Sequence, residues 1–128
     1  MPSPAVLDSS AVLAVFFAEP GAAEVSALLM GALLCTVNVA EVHERMLDHG
    51  AQTEEAWSWI GALGFEVCPF TEPQARMAAE LRAITRPFGL SLGDRACLAL
   101  AIDREAKVYT TDRAWKNLSL GIEIEVIR

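Results

Sequence analysis

Histidine and cysteine are scarce in this chain of 128 residues, which has only His43 and His49, and Cys35, Cys68 and Cys97. The cysteines show no paired spacing, and their odd number argues against a disulfide framework or a paired-thiolate zinc site. Each stands among apolar neighbours and reads as a small buried hydrophobe. Both histidines read as solvated helix residues; His43 lies two positions from Glu41, which on a helix turns it away from that side chain. Long apolar runs are missing too, since none approaches the roughly 18 residues of a membrane span. The start, Met1-Pro2-Ser3-Pro4, lacks the basic region of a secretory signal, so a cytoplasmic location is expected. Positive charge is the last shortage. Residues 1–75 hold one base, Arg45, against ten acids, within a net charge of −7. An acidic chain is an awkward nucleic-acid binder, because phosphate contacts need local positive charge. Only the second half supplies it, with nine bases against seven acids over residues 76–128. Arg82, Arg86, Arg95, Arg113 and Lys116 are the candidates, and a solvated mixed-charge surface explains any one of them equally well.

What is present is a globular composition. With 53% hydrophobic and 21% charged residues and no linker, repeat or low-complexity segment, residues 1–128 read as a single domain. Ala5 to Leu7 is a short apolar run ending at Asp8, and Ser9 and Ser10 offer helix-capping chemistry before the apolar stretch Ala11 to Ala18. A helix carrying Ala23, Val25, Leu28 and Leu29 follows, ended by Gly31. Leu33 to Val37 reads as a buried strand, with Asn38 as N-cap of a helix that carries Glu41 in its first turn. Thr53 caps another helix through about Leu63. Phe65 to Phe70 is a third strand, and Pro73 falls in the first turn of a helix reaching about Ile84. Ser91 and Asp94 stand in capping-box spacing ahead of Ala96–Ile102, a helix apolar all round and therefore central. Lys107 to Thr111 is a strand ending in Asp112, which caps a short helix carrying Trp115. Ile122, Ile124 and Val126 alternate with Glu123 and Glu125, as in an edge strand with one solvated face. Strands alternating with helices imply an α/β fold, a parallel sheet between two helical layers.

Four acids take special places in that order. Asp8 and Asp112 end the first and fourth strands, and Glu41 and Asp94 open helices. Singly, each has an ordinary explanation as a cap, a turn residue or a dipole-favoured acid. Jointly they fall on one edge of a parallel α/β sheet, where such folds place their ligands. Carboxylates packed together repel, and their pKa values rise unless a cation intervenes. Oxygen-only ligands favour Mg²⁺ or Mn²⁺ over Zn²⁺, and such ions chiefly serve phosphoryl chemistry.

Four stretches also carry a family resemblance. Asp8-Ser9-Ser10-Ala11, Asn38-Val39-Ala40-Glu41-Val42, the run from Leu90 through Gly93-Asp94-Arg95 to Ala101, and Tyr109-Thr110-Thr111-Asp112-Arg113-Ala114-Trp115 together resemble the PIN-domain family. The closest resemblance is to the VapC-type ribonuclease toxins of bacterial toxin–antitoxin pairs, and it covers essentially the whole chain. It implies a three-layer α/β/α sandwich with a central, mainly parallel sheet, and a Mg²⁺- or Mn²⁺-dependent endoribonuclease that leaves a 5′-phosphate and a 3′-hydroxyl. On that pattern Asp8, Glu41, Asp94 and Asp112 are the catalytic, metal-holding quartet. Ser10 and Thr111 are the polar residues beside its first and last members, placed to hydrogen-bond carboxylates or water. Arg86, Arg95, Arg113 and Lys116 are candidates for RNA phosphates. A cognate antitoxin is the implied protein partner. A homodimer is expected as well, because Phe16, Phe17, Leu28 and Leu29 offer more apolar surface than a small sheet can cover.

Two other classes compete. A phosphotransferase with an aspartyl nucleophile usually needs a second Asp two residues on, where this chain has Ser10, and a lysine nearby, where it has only Lys107 and Lys116. A non-catalytic PIN-fold RNA or protein interaction domain would have no need of four intact acids.

Overall fold

The computed structural model describes residues 4–128. Five short strands, β1 (Ala5–Leu7), β2 (Leu33–Cys35), β3 (Glu66–Cys68), β4 (Lys107–Thr110) and β5 (Ile124–Val126), form one sheet in the order β3-β2-β1-β4-β5. Every pairing is parallel. Seven helices connect the strands: α1 (Ser9–Phe16), α2 (Ala22–Ser26), α3 (Thr36–Asp48), α4 (Thr53–Gly61), α5 (Glu72–Glu80), α6 (Arg82–Thr85) and α7 (Leu92–Arg104). Two 3₁₀ turns, Arg86–Phe88 and Arg113–Asn117, complete the described elements.

Side chains alternate across a strand, so each strand feeds two cores. Val6, Leu33, Cys35 and Val108 face one layer, built on α7 with Leu98 and Leu100 and closed by Trp115. Leu7 and Leu34 face the other, built from Ala11 and Val12 of α1, Val39, Val42 and Met46 of α3, and Ile60 of α4. The result is the expected three-layer α/β/α sandwich. Helix α7 is the central helix, with Ala96 to Ala101 fully buried. Strand β5 is the edge strand, its Glu125 exposed between half-buried Ile124 and Val126.

The strand order fixes where a ligand belongs. From β1 the chain runs outward to β2 and β3, then returns to place β4 and β5 on the other side. The switch point therefore lies between β1 and β4, and the crevice beyond their carboxyl ends is the natural binding position. Asp8 and Asp112 flank it.

Local details differ from expectation at element ends, where competing caps are hard to rank from sequence. Asp8, rather than either serine, is the N-cap of α1, and Ser9 and Ser10 lie inside the helix. Helix α3 begins at Thr36 with Cys35 as its N-cap, so Asn38 is an internal helical residue and not a cap. Helix α2 stops at Ser26, β3 is confined to Glu66–Cys68, and the segment carrying Trp115 is 3₁₀ rather than α. The expected capping box of Ser91 with Asp94 opens α7, and a second, Thr71 with Gln74, opens α5; Thr53, expected as a cap, is instead the first residue of α4, after its N-cap Gln52.

Candidate functional site

Asp8 is at once the end of β1 and the cap of α1, and every local donor is aimed at it. Its Oδ1 accepts hydrogen bonds from the Ser10 hydroxyl at 2.7 Å and the Ala11 N–H at 3.0 Å. Its Oδ2 accepts from the Thr110 hydroxyl at 2.8 Å. The residue is only 2% exposed. Burial pushes its carboxyl up to about 7, against the pull of those hydrogen bonds, and nearby Asp94 adds to the rise. A carboxyl that ionises near neutrality in a crevice is a common mark of a functional position.

Register brings Asp112 alongside. Leu7 pairs with Tyr109, so the chain leaving β4 passes the chain leaving β1. The Thr110 hydroxyl, besides donating to Asp8, accepts the Asp112 N–H at 3.0 Å. Asp112 Oδ1 then accepts the Ala114 N–H at 2.9 Å and caps the 3₁₀ turn, which fully buried Trp115 pins to the core. Ser10 ties the two strand ends together by accepting the Thr111 N–H at 3.1 Å. The carboxylate-supporting hydroxyl expected of Thr111 is thus provided by Thr110, whose side chain lies on the Asp8 side of the strand. Thr111 takes part through its backbone.

Glu41 and Asp94 meet from α3 and α7, and Asn38 and Gly93, neither expected to act at the site, make that meeting possible. Asn38, 1% exposed, donates from Nδ2 to Glu41 Oε1 at 2.8 Å and to the Gly93 carbonyl at 3.1 Å. A Cβ on Gly93 would fall on the Glu41 carboxyl group, so only glycine lets that carboxyl lie against α7. The available signals were the i, i+3 spacing of Asn38 and Glu41 and a glycine in the first turn of a helix, where it serves no propensity purpose. Asp94 closes its capping box by accepting the Ser91 N–H at 2.9 Å through Oδ2. Burial raises the Asp94 carboxyl above its ordinary value; hydrogen bonds from Ser91 oppose this, and Glu41 and Asp112 push it further up.

The four acids therefore share one neighbourhood above buried Cys97, whose thiol is pushed well above its ordinary value by burial and then by the charges of Asp8, Cys35, Asp94 and Glu41. Among the described residues, no three His, Cys, Asp or Glu side chains are drawn close enough together to hold one ion as they stand. The donor set nonetheless fits a hard divalent cation. All four ligands are carboxylate oxygens. Asp8 is held through both oxygens, but Glu41 Oε2, Asp94 Oδ1 and Asp112 Oδ2 have no hydrogen-bond donor among the described residues. The raised carboxyls of Asp8 and Asp94 are the electrostatic cost that a cation would relieve.

The four expected cations do not act together. Arg86, Arg113 and Lys116 are exposed. Arg95 is not available to a ligand: it is 6% exposed and donates from Nη1 to the Ala78 carbonyl at 2.8 Å, joining α7 to α5. Its position next to Asp94 turns it about 100° around α7 from that carboxylate. Arg95→Ala is accordingly expected to destabilise the fold by about 2–4 kcal/mol, through a cavity and an orphaned carbonyl. Chemical denaturation measures this, and an unchanged unfolding midpoint would return Arg95 to the substrate surface. Arg128, absent from the sequence-derived set, lines the same depression as Ser10, Asp112 and Arg113. No motif marks it.

The apolar surplus also lies elsewhere than expected. Leu29 is buried, and Phe16 and Leu28 pack half-buried against the α1–α3–α4 core. Phe17 meets Phe16 edge-on and His49 at a tilt. The large exposed hydrophobics include Met30, Leu47, Trp57, Ile84 and Leu92. Among the described residues no helix is long and apolar enough to cross a membrane.

The fold is similar to that of several solved structures. It is similar to the DNA-bound VapBC from Salmonella typhimurium, with 17% identity, 100% of both chains covered and a TM-score of 0.73. VapBC2 from Rickettsia felis, bound to a DNA fragment from its promoter, is similar at 18% identity over 94% of this chain and 96% of that one, with a TM-score of 0.71. VapBC-5 from Mycobacterium tuberculosis, a member of the VapBC family of toxin–antitoxin systems, shares 25% identity over 99% of both chains, with a TM-score of 0.65. No curated protein matches the sequence. The sequence itself matches the PIN domain over residues 5–120, a span that contains all four acids, and the chain belongs to that family.

Proposed function

We propose that this protein is an endoribonuclease dependent on Mg²⁺ or Mn²⁺, and the toxin of a toxin–antitoxin pair. One observation carries the reading: Asp8, Glu41, Asp94 and Asp112 gather at the β1/β4 switch point, with Asp8 buried and its carboxyl raised to about 7. A structural cap has no need of that burial. Membership of the PIN domain family and the likeness to VapBC assemblies support the choice of phosphodiester chemistry.

Asp8, Glu41, Asp94 and Asp112 would hold the cation, directly or through water. When bound, it supplies positive charge to the phosphoryl oxygens and lowers the pKa of water. The protein's own contribution is positioning. Ser10, Ala11 and Thr110 fix both Asp8 oxygens, Asn38 fixes Glu41, and Ser91 fixes Asp94, so little reorganisation is needed at the moment of reaction.

The partner side of the proposal has two parts. An antitoxin would silence the site most directly with an arginine, whose planar fork engages a carboxylate bidentately. Pairing into a homodimer would cover part of the exposed apolar surface at Met30 or Trp57.

Incubating purified protein with RNA in Mn²⁺ or in EDTA tests the enzymatic claim. Cleavage is expected with the metal alone, leaving 5′-phosphate and 3′-hydroxyl ends. Mn²⁺ is also expected to raise the melting temperature without RNA, by relieving repulsion among the acids. Cleavage undiminished in EDTA would refute the metal assignment, and absence of any cleavage would favour the non-catalytic interaction domain.

A further inference from the structure

Beside the acidic crevice, the surface changes sign. A depression of about 590 Å³ is lined by Ser10, Thr111, Asp112, Arg113 and Arg128. A second, of about 360 Å³, runs on from it over Arg113, Lys116 and Arg128 to Ile124, Glu125 and Val126 of β5. The two share Arg113 and Arg128 and so adjoin, with Asp112 of the acidic quartet in the lining of the first and three cations across the pair. Among the described residues none of these cations forms a salt bridge, and Arg128 makes only a 3.5 Å hydrogen bond to the Thr111 carbonyl. The acids in the same lining are Asp112, a member of the quartet, and Glu125, which shares Lys107 with Glu123 at 2.8 Å each. In a chain of net charge −7, three cations without a salt bridge against two acids make this lining locally positive.

We propose that Arg113, Lys116 and Arg128 form the phosphate track of this site: a single-stranded RNA lies with its scissile phosphate at Asp8 and Asp112 and its neighbouring phosphates over the three cations, leaving across the β5 edge. The inference rests on the ribonuclease reading and adds to it the direction in which substrate runs. Phosphates, not bases, are recognised here, since the groove offers cations and no exposed aromatic ring. The track also excludes Arg95, which faces α5, and leaves Arg86 outside the groove.

The binding test uses the full chain carrying Asp94→Asn, so that RNA is not consumed, and a fluorescent single-stranded RNA oligonucleotide titrated at several salt concentrations. Adding R113Q, K116Q and R128Q together is expected to weaken binding roughly tenfold or more at low salt, and to flatten the logarithmic salt dependence by about 0.7 per cation removed. R76Q, which removes an exposed cation paired to Glu80, is the control and is expected to change neither quantity. In the chain with its quartet intact, the triple variant is expected to raise KM far more than it lowers kcat. Unchanged affinity and salt slope in the triple variant, with cleavage by the parent chain intact, overturns the track and spares the nuclease. A parent chain that neither binds nor cleaves RNA overturns both.

Discussion

Replacing Asp8 with asparagine is expected to make the metal-free protein more stable at neutral pH and nearly inactive. The stability half follows from linkage. The Asp8 carboxyl is raised from 3.8 to about 7 on folding, so between those values the folded chain holds a proton that the unfolded chain has released. Stability contributed by this group is therefore complete below about pH 4 and is lost as pH rises to about 7, by up to about 4 kcal/mol. Asp94 is raised in the same direction and deepens the fall. Asparagine removes the buried charge and keeps most of the hydrogen bonds. Its oxygen can accept from Ser10 and Ala11, and the Thr110 hydroxyl can turn to accept from its amide. The difference in unfolding free energy between wild type and Asp8→Asn should grow from near zero at pH 4 to its largest value above pH 7. Mn²⁺ should shrink it by stabilising only the wild type. Activity should fall roughly 100-fold or more, since even partners outside the ligand set commonly cost 10–100-fold. A variant that cleaves RNA at the wild-type rate would remove Asp8 from the site. A stability difference flat with pH would show that Asp8 is ionised in the fold throughout.

The same residue shows why part of this site is legible in the sequence. Asp8 follows a three-residue apolar run and precedes a helix, and those two local signals place it at the carboxyl edge of a sheet without knowledge of any contact. Asp112 and Asp94 are placed by equally local signals, a strand end and a capping box. The layer structure was readable because alternation within strands and the all-apolar face of α7 each report burial directly. Asn38, Gly93 and Thr110 were not readable, because their roles exist only across long sequence separations. Thr110 reaches Asp8 from 102 positions away, and Asn38 reaches the Gly93 carbonyl across 55. Neighbouring threonines on a strand point to opposite faces, so choosing Thr111 over Thr110 reversed the side. Arg95 follows a related rule: adjacency to Asp94 on α7 turns its side chain about 100° away from that carboxylate.

Gly93→Ala is expected to silence the site while leaving the fold almost unchanged. The added methyl group would fall on the Glu41 carboxyl, and a flexible side-chain end is the cheapest thing a new Cβ can displace. Glu41 would swing away from α7, breaking its 2.8 Å bond from Asn38. The loss of that bond and the better helix propensity of alanine roughly offset each other, so the unfolding midpoint should move by less than about 1 kcal/mol. The proposed metal site has no such compensation, because it would lose one of its four carboxylates. A decline of roughly 10–100-fold in rate, with weaker Mn²⁺ binding by thermal shift, is expected. Asn38→Asp should act through the same carboxyl: it replaces the donor with an acceptor facing Glu41 and the Gly93 carbonyl. A double-mutant cycle separates this mechanism from a general loosening of α7. If displacement of Glu41 is the whole effect, Gly93→Ala in a Glu41→Ala background should cost nothing further. Multiplying losses, or a fully active Gly93→Ala, would show that the close approach of α3 to α7 at this glycine does not serve Glu41.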